Sequence, residues 1–127
     1  MDSNSHWRTN QVNEFSSVSG MEANLETVGD ERPLSVAGAT ALYWLTQESL
    51  ANALKHSAGS RADVTLSYEA REIRLNVVDD GQGFDISSVA RGHGLENMNR
   101  HTGELDGSVT IESVPGEGTS VTVTLPA

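Results

Sequence analysis

Two stretches in the middle of the chain alternate apolar and polar residues with period two. Val64, Leu66 and Tyr68 alternate with Thr65 and Ser67, and Ile73, Leu75 and Val77 alternate with Arg74 and Asn76. This pattern marks strands with one buried face, and Ala70-Arg71 between them predicts an antiparallel hairpin over 61–69 and 72–79. A second hairpin is predicted from Ser108 to Val114 and from Thr119 to Leu125, joined by Pro115-Gly116-Glu117-Gly118. Upstream, Met21, Ala23, Leu25 and Thr27 predict a short strand between Gly20 and Val28, and Gly29-Asp30-Glu31-Arg32-Pro33 is turn material.

The period changes between these strands. Ala39, Leu42, Tyr43, Leu50, Ala53 and Leu54 recur at helical spacing and predict a long helix capped near Ser35, running to about Ser57 and stopped by Gly59-Ser60. A second helix is predicted from Gly94 to about Leu105, weakened in its second half by Thr102-Gly103. Residues 84–93 are polar, with at most a helical turn around Ile86 to Ala90. Residues 1–19 show little apolar periodicity beyond Trp7, Val12 and Phe15, which suit the remnant of a preceding helix, and read as a mobile lead-in to a domain over 20–127. About five strands and two principal helices define an α+β class: a two-layer α/β sandwich whose mixed, mostly antiparallel sheet is covered on one face by helices.

Composition narrows the functions open to such a domain. The 127 residues suffice for one hydrophobic core and not for two. A net charge of −10 repels nucleic acid and anionic membrane surfaces. No apolar run is long enough to cross a membrane and no leader pattern opens the chain, so the expected compartment is the cytoplasm. The absence of cysteine removes disulfide and thiolate chemistry. His6, His56, His93 and His101 are too scattered for a transition-metal site at helical ligand spacing.

Three polar insertions between Thr46 and Gly94 interrupt the apolar elements where a ligand is commonly held. On the long helix, Glu48, Asn52 and Lys55 are spaced by four and three residues and form one row, which is either a solvated face or a functional one. A neutral oxygen at Asn52 suits Mg2+, Glu48 suits a general base, and Lys55 can reach a phosphate. His56 can do likewise or simply complement the helix end. Asp79-Asp80-Gly81-Gln82-Gly83-Phe84 ends a strand and is either a turn or a place where a carboxylate meets the amine of adenine, Gly81 and Gly83 letting the flat base come close. Gly92-His93-Gly94-Leu95 opens a helix and is either a flexible loop or a phosphate-binding N-terminus. Together they suggest a nucleotide site.

Taken in order, Glu48-x-x-x-Asn52-Ala53-x-Lys55-His56, Asp79-x-Gly81-x-Gly83, Gly92-x-Gly94-Leu95 and Gly116-x-Gly118-Thr119 resemble the N, G1, G2 and G3 boxes of the histidine-kinase-type ATP-binding domain. This is the Bergerat fold shared with type II topoisomerases, Hsp90 chaperones and mismatch-repair ATPases. The likeness extends from about Gly20 to Pro126, and Gly94-Leu95-Glu96-Asn97-Met98 looks most like the DesK-like sensor kinases that partner NarL-type response regulators. The resemblance implies ATP (or ADP) and Mg2+ as ligands, with Asp79 on adenine and Thr119 behind it, Asn52 on Mg2+, Glu48 as base or water-orienting carboxylate, Lys55 and His56 near the phosphates, and residues 84–93 as a lid.

It also implies a partner: a dimerisation domain carrying the phosphoacceptor histidine, a setting that none of the four histidines here has. The chain is then the catalytic portion of a longer kinase, one that a membrane anchor can hold, or a single-domain relative. His101-Thr102-Gly103 replaces the stronger helix formers usual in such kinases. An anti-sigma-factor-type serine kinase and a nucleotide-sensing module without transfer share the same boxes and stand as alternatives.

Overall fold

The computed structural model describes residues 4–56, 61–81, 100, 102–113, 116 and 118–126, with side chains of the first helix and of the end of the second described for 11–17, 19 and up to 51. In chain order the elements are α1 (Asn4–Ser19), β1 (Glu22–Val28), α2 (Val36–His56), β2 (Arg61–Tyr68), β3 (Glu72–Asp79), β4 (Ser108–Ser113) and β5 (Thr119–Pro126). The five strands form one sheet of order β1-β2-β3-β5-β4. β1 and β2 are parallel, with α2 between them in sequence, and the other neighbours are antiparallel. This is the mixed, mostly antiparallel sheet that the alternation predicts.

Period-two alternation sorts the side chains cleanly. Val64, Val77 and Val121 stand opposite one another across β2, β3 and β5, and Leu66, Leu75 and Val123 do so one pleat further on. All six are buried beneath α2, whose Leu42, Leu45 and Leu50 complete the core. The opposite face carries Ser and Thr, with Asn76 donating its amide to Thr122 Oγ1 at 2.8 Å and to Ser120 Oγ at 3.2 Å. Only one face of this sheet is built for burial.

The packed face of α2 differs in detail from the stripe read in the sequence. Tyr43 is 48% exposed, whereas Leu45, Thr46 and Ser49 are buried. Thr46 satisfies its hydroxyl on the Leu42 carbonyl at 2.7 Å, which lets a polar residue occupy a core position. The side chains of Ala53 and Leu54 lie outside the described residues. Ser35 caps the helix as expected, its Oγ accepting the Gly38 N–H at 3.0 Å.

The lead-in carries the helix of which Trp7, Val12 and Phe15 were the trace. Residues 4–19 form helix α1, with Gln11 and Val12 buried and Phe15 packed against the core. The Gln11 amide donates to the Tyr43 carbonyl at 2.8 Å and to Gln47 Oε1 at 3.2 Å, fixing α1 to α2. Ser16 donates to the Met21 carbonyl at 2.8 Å, and Gly20, at φ 80°, turns the chain into β1. So few apolar residues give α1 no readable stripe; its contacts are made by tertiary packing rather than by its own periodicity.

Residues 102–107 close the chain onto β4. The Gly107 N–H bonds the Thr102 carbonyl at 2.7 Å and the Asp106 N–H bonds that of Gly103 at 3.1 Å, with Asp106 at φ 59°. This is a Schellman helix end, consistent with a helix stopping near Leu105. The start expected at Gly94 lies outside the described residues, as does the segment 84–93.

Candidate functional site

The alternation that buries Ile73, Leu75 and Val77 continues for one more step and buries Asp79, which is 6% exposed. A carboxylate thus occupies the position of a core side chain at the end of β3. The register sets Ala62 on one side of it and Thr119 on the other, with Ser113 beyond Thr119 on the edge strand.

The surroundings of Asp79 are polar but incomplete as a solvation shell. Its Oδ1 accepts the Gly81 N–H at 2.9 Å, and the backbone of Thr119 across the strand pair adds a smaller favourable influence on the charged form. Burial is the largest influence on its protonation and raises the pKa; the Gly81 N–H opposes it, the neighbouring Asp80 adds to it, and the Thr119 backbone again opposes it. The balance holds the carboxyl above its ordinary range. Asp80 instead bridges two strands. Its Oδ1 accepts the Arg61 N–H at 3.0 Å and its own N–H donates to the Arg61 carbonyl at 3.2 Å, tying the end of β3 to the start of β2.

Gly118, just before Thr119, is at φ 85°, and a Cβ built there would overlap the carbonyl oxygen of Asp79. Glycine is therefore required twice over, by conformation and by space. Ser113 reaches across from β4, its Oγ 3.2 Å from the Gly118 carbonyl and 2.9 Å from Thr119 Oγ1. Asp79, Ser113, Gly118 and Thr119, with Val78, Glu112 and Ser120, line a cavity of about 180 Å³ at this end of the sheet. Larger hollows, about 280 Å³ between α1 and α2 and about 360 Å³ near Leu34 and Ile73, include none of the residues singled out in the sequence.

Of those residues, the structure brings together Asp79, Gly81 and Thr119. Glu48 is half-buried on α2 and is not among the residues lining the Asp79 cavity. It continues a row whose earlier members, Ala41 and Leu45, are buried, so this face of α2 leaves the core and turns polar toward the helix C-terminus. Asn52, Lys55 and His56 lie on the final turns of α2, and their side chains are outside the described residues. Only residues 57–60 separate α2 from Arg61, a chain length that spans at most about 18 Å. Because Arg61 is bonded to Asp80, the last residue of α2 is held within about that reach of the start of β2 beside the Asp79 end of the sheet. Gly83, Gly92, His93, Gly94 and Leu95 lie outside the described residues.

Two contributors are not singled out as site residues by the sequence pattern. Gly118 stands within the phrase Gly116-x-Gly118-Thr119, so a signal exists. Ser113 has none, because its place depends on the pairing of β4 with β5. Among the described residues no group of histidine, aspartate and glutamate side chains is arranged to hold a metal, and no helix is long and apolar enough to cross a membrane.

Solved structures share this architecture. The histidine kinase domain from the Erythrobacter litoralis EL346 blue-light activated histidine kinase superimposes with a TM-score of 0.73 at 23% identity, covering 91% of this chain and 57% of that one. A second structure of that Erythrobacter kinase gives 0.77 at 21% identity, covering 95% and 41%. At such identities the likeness is one of fold.

Residues 37–127 match the family described as histidine kinase-, DNA gyrase B-, and HSP90-like ATPase, and the chain belongs to it. It is an ATP-binding catalytic domain of the histidine-kinase type. Over 86 residues, 67% of its length, it is 36% identical to the sensor histidine kinase LiaS of Bacillus subtilis (strain 168) and covers 24% of that protein. It is 33% identical over 86 residues to the sensor protein VraS of Staphylococcus saprophyticus, covering 67% of this chain and 25% of VraS. The chain thus spans about a quarter of the length of these curated relatives.

Proposed function

We propose that this domain binds Mg-ATP at the Asp79 end of the sheet and transfers the γ-phosphoryl to a histidine on the dimerisation domain of a two-component sensor kinase, from which a NarL-type response regulator takes it. The observation that carries the reading is a carboxylate held in a core position at a strand end, with Gly118 packed against the backbone carbonyl of the same residue. A buried acceptor without a cationic partner among its described contacts is costly unless a donor arrives. The exocyclic amine of adenine is such a donor.

In this reading Asp79 takes the adenine amine, Gly81 and Gly83 give the base room, and Thr119 stands behind it. Asn52 holds Mg2+, Glu48 orients the incoming nucleophile as a base, Lys55 and His56 meet the phosphates, and Gly92, His93, Gly94 and Leu95 end the lid and receive the polyphosphate. Residues 20–127 form the ATP-binding unit. The magnesium ion supplies charge neutralisation of the transferring phosphoryl; the protein supplies positioning. The DesK-like subtype rests on the phrase Gly94-Leu95-Glu96-Asn97-Met98.

Titration with ATP and ADP, with and without Mg2+, tests the reading on the wild type and on Asp79→Asn. Binding by the wild type that the substitution removes is the expected result; equal affinity for both proteins overturns it. Acid-labile phosphate on a separately supplied histidine-bearing bundle, lost with Glu48→Ala or Asn52→Ala, is the matching result for transfer.

A further inference from the structure

The loop from β1 to α2 passes the end of the sheet away from Asp79, where the β2–β3 turn and the last residues of β5 also lie. A hollow of about 360 Å³ opens there, within the roughly 300–1,000 Å³ range of small-molecule pockets. Leu42, Ile73 and Leu125 of the core back it, and the less buried Leu34 and Pro126 stand at its rim. Along β3, Ile73 and Asp79 are roughly 20 Å apart, and this hollow shares no lining residue with the Asp79 cavity.

Arg32 is the one charged residue of the lining. Its guanidinium is fixed: Nη2 donates to the Glu69 carbonyl at 2.6 Å and, at 3.4 Å, to that of Glu72, and the group lies 5.7 Å from the ring centroid of Tyr68. Main-chain carbonyls and a ring hold the group without cancelling its charge. The Nε–H and the Nη1 amine have no acceptor among the described residues. The acids of the turn are engaged elsewhere, Glu69 and Glu72 with Arg74 at 3.2 and 2.7 Å. Asp30 and Glu31 precede Arg32 in the loop and are exposed, where salt screens them.

A fixed guanidinium with unmatched charge beside apolar walls, in a chain of net charge −10, suits an apolar molecule that ends in an anion. We propose that this hollow binds a medium-chain carboxylate amphiphile, its alkyl chain against Leu42, Ile73 and Leu125 and its carboxylate on Arg32. One guanidinium matches one carboxylate, whereas a phosphate of nearly two charges would leave a surplus close to Asp30 and Glu31. The inference concerns the other end of the sheet and does not depend on the nucleotide reading.

Decanoate is the probe and decanol the uncharged control. Each is titrated as a monomer into the 127-residue chain and followed through the methyl NMR signals of Leu42, Ile73 and Leu125. Decanoate is expected to shift these methyls to saturation, with decanol bound about tenfold more weakly. Arg32→Gln is expected to weaken decanoate about tenfold and leave decanol unchanged. Arg71→Gln makes the same charge change at an exposed turn position outside this hollow and is expected to alter decanoate affinity by less than about twofold. Leu34→Trp, which fills the rim, weakens both probes.

Equal losses with Arg32→Gln and Arg71→Gln would show attraction to overall charge and overturn the site. Shifts that do not saturate, that appear only once decanoate forms micelles, or that centre on Asp79 and Thr119 overturn it as well, as does equal affinity for the two probes. Arg32 also braces the β2–β3 turn; if Arg32→Gln does not fold, Leu34→Trp and the ratio of decanoate to decanol affinity carry the test. ATP titration at Asp79 is a separate measurement, so either reading can fail alone.

Discussion

The main chain at Gly118 lies against the carbonyl oxygen of Asp79, leaving no room for a side chain between β5 and the end of β3. At φ 85° Gly118 also occupies a conformation that L side chains rarely adopt. Gly116, two residues earlier, has φ 88° but nothing within 4 Å of a Cβ built there. Gly118→Ala is expected to cost about 3 kcal/mol or more and to remove ATP binding, whereas Gly116→Ala costs about 1–2 kcal/mol of backbone strain alone. Denaturant unfolding of the two variants, with ATP titration alongside, separates crowding from conformation. Equal losses at the two positions would contradict the contact.

If Asp79 binds adenine as proposed, its burial sets stability against function. Because its folded pKa is raised above the unfolded value of about 3.8, the folded state binds the proton more tightly. Its ionisation therefore destabilises the ligand-free domain as pH rises above about 4 and through the raised pKa. Asp79→Asn, which keeps the shape and cannot ionise, is expected to unfold at an equal or higher temperature than the wild type at neutral pH, and to lose that part of the pH dependence. A lower melting temperature for the variant at neutral pH, with no change at about pH 4, would show that the charged form is the stabilised one.

In the proposed reading the same carboxylate acts on binding in the opposite sense. Protonation removes the acceptor, so ATP affinity is expected to fall as pH drops toward and below the raised pKa of Asp79. Calorimetric titrations between about pH 4 and 7.5 check this, with adenosine, which has no phosphate to titrate, alongside ATP.

Helix α1 is held by few groups, and Val12, 2% exposed, is the most buried apolar one described. Val12→Ala is expected to cost about 1.5–3 kcal/mol, the value of burying that side chain with the cavity left behind. A cost near zero in urea unfolding would mean that α1 does not dock in solution.

At the other end of the domain, Ser35→Ala removes the acceptor for the Gly38 N–H and is expected to cost about 1 kcal/mol. Ser35→Asp should retain most of that stability, because its carboxylate can take the same N–H and suits the positive end of the helix. Thermal unfolding of the two variants gives the comparison.

The residue pattern alone determined the strands and the long helix, because a period of two or of about 3.6 is a local property that burial on one face imprints on every residue of an element. It also determined the place of Asp79 at the end of an alternating strand and the order of the four boxes. Helix α1 was legible only as the remnant of a helix and its docking was not, since Gln11 is held in the interior by bonds to the Tyr43 carbonyl and to Gln47, 32 and 36 residues away. Nor was the exposure of Tyr43, because neighbouring positions of a helix are told apart only by what packs on them.

The direction of the first strand pair, the approach of Gly118 to Asp79 and the hydroxyl pair of Ser113 and Thr119 were decided by tertiary structure. Each joins segments that share no sequence period. Strand register brings them together, and register is settled by the whole hydrophobic face of the sheet at once.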